Sequence, residues 1–469
     1  MIALSLAKIA EMTVGAVPGV HAGATVTGPV VIDSREARAG ALFVAVRGER
    51  VDGHDFATAA VAAGAAGVLA ERRPADPDVP AVVVEDVVRA LGLLARGVVA
   101  QLPRATVIGV TGSSGKTSTK DLIAQVVGRA GRTVAPVGSF NNEIGHPLTV
   151  LRADEDTRFL VLEYSARGVG HIAYLAEVAP PRIGLVLNVG TAHIGEFGSR
   201  EVVARAKGEL VEALPPDGTA VLNADDPLVR AMAGRTSARV VTFGRAPDAT
   251  VRATDEWLDE QGRPRFTLVT PEGTLPVEMR LHGAHAVSNA LAAAAAAREA
   301  GMRPAEIAAA LSEATVVSRW RMEVSERGDG VTIVNDAYNA NPESVRAALD
   351  ALGHMARTGR AYVVLGEMAE LGAVSATEHE KIGAHAARGG VAGLIAVGDG
   401  AAPMLEGAKQ VGSWTGECVQ VDDVGAAVAA LSRRLRPRDV VLVKGSRVAG
   451  LERVAQALLD EEPTGRARA

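Results

Sequence analysis

A glycine-rich loop, set between an apolar run and a run of helix-forming residues, constrains this chain more than any other feature. The apolar run covers residues 106–110, and the loop itself reads Thr-Gly-Ser-Ser-Gly-Lys-Thr over residues 111–117. Backbone N–H groups of such a turn, together with the positive end of the helix that follows, form a binding site for phosphate. The lysine of such a loop reaches the terminal phosphates, and the next hydroxyl ligates Mg²⁺. We therefore expect a phosphate site here, with Lys116 and Thr117 in these two roles.

The loop departs from the general template at one position, because Val110 stands where the template has a glycine five residues before Gly115. An accidental glycine-rich turn between a strand and a helix is the alternative interpretation. The use of lysine argues against it: seven of the 49 basic residues are lysine, so this chain rarely uses lysine as a generic positive charge. The loop residues expected to bind ATP are Thr111, Gly112, Ser113, Ser114, Gly115, Lys116, Thr117 and Ser118.

The composition excludes several classes of protein. Hydrophobic residues make up 48% of the 469-residue chain and charged residues 22%, which is typical of a folded globular protein. Basic and acidic residues number 49 and 55. Since a nucleic-acid-binding surface shifts this balance to the basic side, we expect no nucleic-acid partner. The single cysteine, Cys418, excludes a disulfide framework and fits a cytoplasmic location. No apolar run reaches ~18 residues, so no membrane span is expected, and residues 1–14 fit an amphipathic helix better than a signal peptide.

Strand and helix patterns divide the chain into three α/β units. A small unit is expected at residues 1–103, where short apolar strands alternate with helices. The second unit, residues 104–317, also alternates strands and helices, which favours a parallel sheet covered by helices. Its stretch 240–281 is rich in β-formers and turns and indicates an antiparallel appendage. The third unit, residues 318–469, has the pattern of an open, doubly wound α/β sheet.

Several short segments accompany the loop along nearly the whole chain. They are 140–148 (FNNEIGHPL), 162–166 (LEYSA), 188–193 (NVGTAH), 206–209 (AKGE), 283–290 (GAHAVSNA), 336–342 (DAYNANP) and 444–447 (KGSR). Together with the loop they resemble the Mur ligases, the ATP-dependent ligases of peptidoglycan precursor synthesis, which share a fold with folylpolyglutamate synthases. The resemblance implies a small α/β domain for a uridine nucleotide (1–103), a central phosphate-loop ATPase domain with a parallel sheet (104–317) and a C-terminal Rossmann-like, doubly wound ligase domain (318–469).

Four segments indicate which acceptor the chain uses. NNEIG, DAYNANP, LGEMAELG and KGSR are similar to those of the family member that joins D-alanyl-D-alanine to UDP-N-acetylmuramoyl-tripeptide. The resemblance implies that ATP phosphorylates the tripeptide carboxylate, and that the dipeptide amine attacks the acyl phosphate, which leaves ADP and phosphate. The alternatives are a diamino-acid or glutamate ligase of the same fold, a ligase of the folylpolyglutamate-synthase type, and a nucleotide-gated binding protein without turnover. The Asp-Asn-Pro-Arg motif of the diamino-acid ligase does not occur in the sequence. A monomer is expected.

Two Mg²⁺ ions and a lysine carbamate are implied by the resemblance, which assigns catalytic roles to Lys116, Glu163, His193 and Lys207. Glu163 ends an apolar strand, so its carboxylate is expected in the crevice at the carboxyl edge of the sheet; a solvated strand-end glutamate is the alternative. His193 follows another apolar strand, although Mg²⁺ prefers oxygen ligands, and a capping or core histidine is the alternative. The pattern around Lys207 alone indicates a solvated helix residue. In the family the equivalent lysine is carbamylated by CO₂ and ligates metal, which arginine could not do because its guanidinium stays protonated.

The remaining assignments also come from the resemblance. Asn289 is expected at the adenine, Arg321 at the phosphates and Asp336 at the ribose of ATP, with Arg319 as an alternative to Arg321. Because Lys116 and Asp336 fall in different units, catalysis requires the third unit to close on the ATP-loaded centre. The residues expected to bind the uridine nucleotide, sugar or peptide are Ser34, Arg35, Asn141, Asn142, Gly145, Asn339, Asn341, Lys444 and Ser446.

Overall fold

The structure, a computed structural model, describes residues 1–191 and 194–461 of the chain. Its N-terminal unit contains a four-stranded parallel sheet in the order β3-β4-β5-β6 and a separate antiparallel pair of strands, β1 and β2. The elements are β1 (Leu4–Ser5), α1 (Leu6–Thr13), β2 (Thr25–Val26), β3 (Val30–Val31), β4 (Leu42–Val44), α2 (Ala57–Ala62), β5 (Gly67–Ala70), β6 (Ala81–Val83) and α3 (Val87–Ala100).

The first helix is shorter than the sequence predicts. The prediction placed an amphipathic helix over residues 1–14, but α1 begins at Leu6. Ser5 ends the preceding strand, which pairs with β2, and its side chain accepts a hydrogen bond from the backbone N–H of Lys8 at 3.2 Å. This N-cap fixes the start of the helix, because a serine oxygen satisfies an N–H group that has no partner within the first turn.

The central unit is built on a nine-stranded sheet in the order β15-β14-β13-β12-β11-β10-β7-β9-β8. Pairs of strands from β8 to β13 are parallel, as the alternation of strands and helices predicts. The elements are β7 (Thr106–Thr111), α4 (Lys116–Val127), β8 (Thr133–Val134), α5 (Gly145–Val150), β9 (Phe159–Glu163), α6 (His171–Val178), β10 (Ile183–Val186), α7 (Ile194–Phe197), α8 (Arg200–Glu212), β11 (Thr219–Asn223), α9 (Pro227–Arg230), β12 (Arg239–Gly244), β13 (Val251–Leu258), β14 (Pro264–Thr270), β15 (Gly273–Glu278), α10 (His285–Glu299) and α11 (Pro304–Glu313).

The predicted antiparallel appendage is present, but it begins later than expected. The prediction covered residues 240–281, whereas β12, at the start of this stretch, pairs in parallel with β11. Antiparallel pairing joins β13 to β14 and β14 to β15. The content of β-formers predicts the strands correctly; it cannot predict their direction, which depends on the connections between them.

An alanine-rich helix forms much of the core beneath the central sheet. All residues from Ala290 to Ala297 in α10 are fully buried, and the helix packs against α4 and the sheet strands. A helix that is apolar on all faces is one that is buried, and alanine side chains allow its neighbours to approach closely. A second cluster joins the first two units, with Leu6 and Leu91 of the N-terminal unit packed together with Leu175 and Leu210.

The C-terminal unit is a six-stranded sheet in the order β16-β17-β21-β18-β19-β20 with helices on both faces, as the doubly wound pattern predicts. β16 is the one antiparallel strand of this described sheet. The elements are β16 (Glu323–Glu326), β17 (Thr332–Asn335), α12 (Pro342–Met355), β18 (Ala361–Gly366), α13 (Ser375–Arg388), β19 (Gly393–Val397), α14 (Pro403–Lys409), β20 (Glu417–Val421), α15 (Val424–Ser432), β21 (Val440–Lys444) and α16 (Glu452–Asp460).

The carboxyl edges of these two larger sheets carry the segments that the sequence analysis singled out. In the central sheet the phosphate loop follows β7, Glu163 ends β9, and the segment 188–191 follows β10; these three strands are neighbours. In the C-terminal sheet Asp336 follows β17 and Lys444 ends the adjacent strand β21. Open α/β sheets bind ligands outside the carboxyl ends of their strands. Within the described ranges, none of the helices has the length and hydropathy needed to cross a membrane.

Candidate active site

A cleft of about 840 Å³ lies between the central and C-terminal sheets. Most of the residues predicted for the site line it: Ser113, Ser114, Gly115, Lys116, Thr117, Ser118, Asn141, Asn142, Glu163, Asn289, Arg321, Asp336, Asn339, Asn341, Lys444 and Ser446. Thr111, Gly112 and Gly145 are buried beside it, and Lys207 is buried in α8. His193 lies outside the described residues. The cleft thus brings together groups from two units that are separated by up to 333 positions in the sequence, from Ser113 to Ser446.

The phosphate loop is held in shape by a residue that follows the neighbouring strand β10. Asn188 Oδ1 accepts hydrogen bonds from the backbone N–H groups of Ser113 and Ser114, both at 2.9 Å, and its Nδ2 donates to the carbonyl of Ser114 at 3.1 Å. At the tip, Gly115 has φ +79°, and a Cβ there would lie 2.8 Å from Asn289 Oδ1. The backbone conformation therefore favours glycine at 115, and Asn289, the residue predicted to bind the adenine, lies close against it. Asn188 lies in a segment that resembles the family, but the sequence alone predicts no role for this residue.

Lys116 begins α4 and donates a hydrogen bond to the carbonyl of Gly112 at 2.7 Å. Burial lowers the pKa of this amine; the nearby Glu163 carboxylate opposes the shift, and the Arg321 guanidinium adds to it. The amine therefore lies among charged groups at the base of the cleft, within reach of an anion bound by the loop. This is the position that the loop pattern predicts for it.

Thr117 forms a three-membered polar cluster with Ser139 and Arg321. Its hydroxyl lies 2.8 Å from Ser139 Oγ, and Arg321 Nη2 donates to both hydroxyl oxygens at 3.0 Å. The Arg321 guanidinium also stacks over the Tyr338 ring at 4.2 Å. Arg319, the alternative partner, is exposed and does not line the cleft. Ser139 was missed by the sequence analysis, since a single serine in a loop carries no pattern.

Glu163 is completely buried, so the alternative of a solvated strand-end glutamate is wrong. Its Oε2 accepts a hydrogen bond from Asn141 Nδ2 at 3.1 Å, while its Oε1 is buried without a partner among the described residues. Buried polar atoms are nearly always partnered, and an exception requires an explanation. Glu163 ends β9, the neighbour of β7, and both Glu163 and Thr117 line the cleft. A carboxylate oxygen is the hard donor that Mg²⁺ prefers. The residues present therefore fit a magnesium ion.

Lys207 is 5% exposed, so the interpretation of this residue as a solvated helix lysine is wrong. Burial lowers the pKa of its amine well below the ordinary value, and the positive charge of Lys116 adds to the shift. No hydrogen bond or ion pair joins the amine to another residue in the described part of the chain. A neutral lysine amine is a nucleophile, so this environment fits the carbamate that the resemblance implies.

In the C-terminal unit, Asp336 and Lys444 form a buried ion pair. Lys444 Nζ lies 2.5 Å from Asp336 Oδ2 and also donates to the carbonyl of Asn339 at 2.8 Å. The other carboxylate oxygen of Asp336 accepts from the backbone N–H of Met322 at 3.1 Å. The sequence predicts that Asp336 binds ATP and that Lys444 binds the peptide. In the structure these two residues contact each other directly.

Three further predicted residues of this unit shape the backbone around the cleft. Asn341 caps α12, because its Oδ1 accepts from the Ser344 N–H at 2.9 Å. Asn339 Oδ1 accepts from the next backbone N–H, also at 2.9 Å. Ser446 Oγ donates to the carbonyl of Glu367 at 2.6 Å. Each side chain lines the cleft and fixes a loop at the carboxyl edge of the sheet.

The two predicted residues of the N-terminal unit do not line the cleft. Ser34 and Arg35 lie in a short 3₁₀ helix, where Arg35 donates to both carboxylate oxygens of Asp33. This pairing lowers the pKa of Asp33 to about 2. Nearer the cleft, Asn142 Oδ1 accepts from the Gly145 N–H at 2.8 Å. A Cβ on Gly145 would lie 2.8 Å from the Phe140 ring, so glycine allows this turn to close.

Comparison with known proteins agrees with this arrangement in all three units. Family models for the Mur ligase family, catalytic domain, the Mur ligase middle domain, and the Mur ligase, glutamate ligase domain match residues 29–99, 110–297 and 320–447. The chain belongs to the Mur ligase family. Because the three models follow one another in this order, the family assignment covers the N-terminal unit as well as the cleft.

Relatives within the Mur ligase family match the chain over its full length. The UDP-N-acetylmuramoyl-tripeptide--D-alanyl-D-alanine ligase of Mycobacterium tuberculosis is 50% identical, with 100% of each chain covered. The crystal structure of MurF from Acinetobacter baumannii is 30% identical with a TM-score of 0.88, covering 98% of this chain and 99% of that one. MurF ligase from Thermotoga maritima, solved in complex with ADP, is 31% identical with a TM-score of 0.81, covering 93% and 98%.

Proposed function

We propose that this Mur ligase joins D-alanyl-D-alanine to UDP-N-acetylmuramoyl-tripeptide, with conversion of ATP to ADP and phosphate, in the synthesis of peptidoglycan precursor. The observation that carries the proposal is the cleft, where a phosphate loop lies beside a buried carboxylate oxygen that has no partner among the described residues. The buried Lys207 amine lies near enough to Lys116 for that charge to lower its pKa further. The relatives that carry the name of this ligase match the chain over its whole length. They support this acceptor over a diamino acid or glutamate.

The reaction brings two anions together, the tripeptide carboxylate and the terminal phosphate of ATP. Lys116, at the base of the cleft, offsets part of their repulsion, and Arg321 supplies a second cation from the C-terminal unit. The carboxylate oxygen attacks the γ-phosphorus, and the bond to the bridging oxygen breaks with ADP as the leaving group. The amine of the dipeptide then forms the C–N bond as the C–O bond to phosphate breaks.

Mg²⁺ would be held by Thr117 and Glu163, and a second ion by His193 and the carbamate of Lys207. When bound, these ions neutralise charge on the phosphates. In the structure the hydroxyl of Thr117 is hydrogen-bonded to Arg321 at 3.0 Å. Arg321 is thus already placed at the phosphate loop, beside the hydroxyl that would hold the metal, where its guanidinium would contact the phosphates.

Substrate contacts follow the predicted assignments. Asn289 lies against Gly115 and is proposed for the adenine, and Asp336 for the ribose. The residues proposed for the uridine nucleotide, sugar, peptide and dipeptide are Ser34, Arg35, Asn141, Asn142, Gly145, Asn339, Asn341, Lys444 and Ser446. The proposal also includes domain bounds at 1–103, 104–317 and 318–469, a monomeric enzyme and a cytoplasmic location.

The carbamate is tested separately at Lys207. Lys207→Ala removes the amine that would form the carbamate, so turnover should be lost. Turnover should return in part when a short carboxylate such as formate is added. Lys207→Arg keeps a positive charge but cannot form the carbamate, and it should be inactive with no rescue. A Lys207→Ala enzyme with the wild-type rate would remove the carbamate from the mechanism.

Phosphate release measured with ATP and UDP-N-acetylmuramoyl-tripeptide tests the proposed function. Three reactions are compared: with D-alanyl-D-alanine, with single amino acids including glutamate and diamino acids, and without an amine. We expect release that depends on both the tripeptide and the dipeptide. Release with a single amino acid instead would assign the chain to another acceptor. ATP binding without release in any reaction would favour a binding protein.

A further inference from the structure

The segment that follows β10 is held on two sides by different units of the chain. On one side the backbone N–H of Gly190 donates to Ser113 Oγ of the phosphate loop at 2.9 Å. On the other side Glu343 reaches across from the first turn of α12 in the C-terminal unit. Its Oε1 accepts two hydrogen bonds from Thr191, from the backbone N–H and from the hydroxyl, both at 2.9 Å. Glu343 of the C-terminal unit is thus connected to the phosphate loop through the adjacent residues Thr191 and Gly190.

The fit between Glu343 and this segment is close. A Cβ on Gly190 would lie 2.9 Å from the carboxyl carbon and from Oε1 of Glu343, so a larger residue at 190 would displace the carboxylate. The second oxygen, Oε2, is buried and has no partner among the described residues. Burial of an unpartnered carboxylate oxygen opposes folding. The contact is therefore maintained at a cost to stability, as is common at functional sites.

We propose that Glu343 is a positioning residue of the ligase reaction, which acts through Thr191 to set the C-terminal unit against the phosphate loop. This inference rests on the proposed function. The reacting groups come from both units, because Lys116 lies in the central unit and Arg321 and Lys444 in the C-terminal unit. Their separation must be correct to a fraction of an ångström for efficient reaction. The Glu343–Thr191 pair is a second contact between the two units near the phosphate loop, in addition to the Arg321–Thr117 hydrogen bond.

The proposal predicts a particular kinetic effect. The Glu343–Thr191 contact joins two protein groups of different units at the wall of the cleft. Its loss should therefore loosen the alignment of the reacting groups and lower kcat. The KM for ATP should stay within about twofold, because the loop itself remains held by Asn188. A displacement of reacting groups of about 1 Å can lower a rate by about 100-fold, so we expect a fall in kcat of at least about tenfold.

Matched variants distinguish an effect of the hydrogen bonds of Glu343 on kcat from an effect of its charge. Glu343→Ala removes both hydrogen bonds to Thr191 and should show the full fall in kcat. Thr191→Val removes the bond from the hydroxyl but keeps the bond from the backbone N–H, and it should show a smaller fall. Glu343→Gln retains an oxygen acceptor of the same length, and Thr191→Ser retains the hydroxyl, so both should keep kcat within about threefold of the wild type. The double variant Glu343→Ala/Thr191→Val should be no slower than Glu343→Ala, because Glu343→Ala already removes both hydrogen bonds. Glu406→Gln removes a carboxylate from the exposed surface of the same unit and should have no effect.

Amide hydrogen exchange gives a second readout that needs no turnover. In the wild-type protein the N–H of Thr191 should exchange slowly, and Glu343→Ala should accelerate its exchange at least about tenfold while Glu343→Gln does not. A Glu343→Gln enzyme as slow as Glu343→Ala would overturn the proposal, because charge and not position would then matter. Unchanged kcat and exchange in Glu343→Ala would overturn it too. Failure of the wild-type enzyme to release phosphate would contradict the proposed function alone, since the exchange measurement still tests this contact.

Discussion

Glu163 and Lys207 are both buried in the central unit, although charged side chains are seldom buried unless they are paired. One carboxylate oxygen of Glu163 has no partner in the described part of the chain, and the amine of Lys207 has a strongly lowered pKa. Both of these unusual buried groups, the carboxylate oxygen and the amine, lie near the phosphate loop. At the residue scale, the chemistry of the cleft therefore depends on burial as much as on the identity of the side chains.

His146 is a third buried ionisable residue and carries a prediction about pH. Its Nδ1 contacts the carbonyl of Glu163 at 3.1 Å, its ring packs edge-on against Tyr164, and burial lowers its pKa to about 4. The unfolded chain binds a proton below a pKa of about 6.5, while the folded protein does not do so until about pH 4. The free energy of unfolding should therefore fall as pH decreases from 6.5 to 4, by about 2 kcal/mol between pH 7.5 and 5.

Urea denaturation at pH 7.5 and pH 5 measures this effect. His146→Asn retains a donor near the Nδ1 position but does not titrate, so its free energy of unfolding should fall by about 2 kcal/mol less than that of the wild type over this range. Equal losses in the two proteins would show that His146 is not held neutral. The comparison with the variant is needed because other groups also titrate between these pH values.

The sequence predicted some of these residues and missed others for physical reasons. Glu163 was predicted from its place at the end of an apolar strand, where topology fixes the direction of the side chain. The burial of Lys207 could not be predicted from its helix, since the residues that cover it come from elsewhere in the chain. Ser139 and Asn188 form their contacts across loops, and no periodic pattern marks such contacts. The prediction for His193 concerns a residue outside the described ranges and remains a prediction.

Elements at the carboxyl edge of the central sheet support each other across neighbouring strands. The loop after β7 uses Asn188, which follows β10, as an acceptor for two of its N–H groups. Backbone N–H groups bind phosphate in loops of this type. The side chain of Asn188 thus shapes the loop before ATP arrives, which reduces the ordering that binding requires.

Replacement of Asn188 tests this support. Asn188→Ala leaves the N–H groups of Ser113 and Ser114 without their side-chain acceptor, and the KM for ATP should increase at least about tenfold. Asn188→Asp keeps the acceptor oxygen but adds a negative charge near the phosphates, and its KM for ATP should increase as well. The KM for the dipeptide should change little in both variants. Wild-type ATP kinetics in Asn188→Ala would show that the loop does not need this side chain.

The linker between the central and C-terminal units determines how the whole molecule can move. Gln125 in α4 exchanges two hydrogen bonds with the backbone of Thr315, both at 3.0 Å, and Asp121 accepts from the N–H of Ser318. The linker is therefore fixed to the helix of the phosphate loop as far as Ser318. Trp320 and Met322 follow with φ of +59° and +49°, values that are strained for residues with side chains. If ligands cause the C-terminal unit to close on the cleft, we expect the chain to rotate at residues 319–322.

Small-angle scattering tests this motion. Arg321 lies within the strained segment and donates a hydrogen bond to the Thr117 hydroxyl, so we expect ligand binding at the phosphate loop to act on this segment. A non-hydrolysable ATP analogue with Mg²⁺ and the tripeptide should give a smaller radius of gyration than the protein alone. Arg321→Ala removes the guanidinium that joins the two units and should increase the radius of gyration of the free protein. Identical profiles with and without ligands would count against closure of the third unit.

The function proposed for the cleft between the two units requires that the tripeptide carboxylate is activated by phosphorylation. An isotope-transfer measurement tests this claim most directly. UDP-N-acetylmuramoyl-tripeptide labelled with ¹⁸O in its reacting carboxylate is allowed to react with ATP and D-alanyl-D-alanine, and the released phosphate is analysed by mass spectrometry. An acyl phosphate requires one ¹⁸O atom to appear in the phosphate for each amide bond formed. Amide formation with unlabelled phosphate would contradict this account of the site.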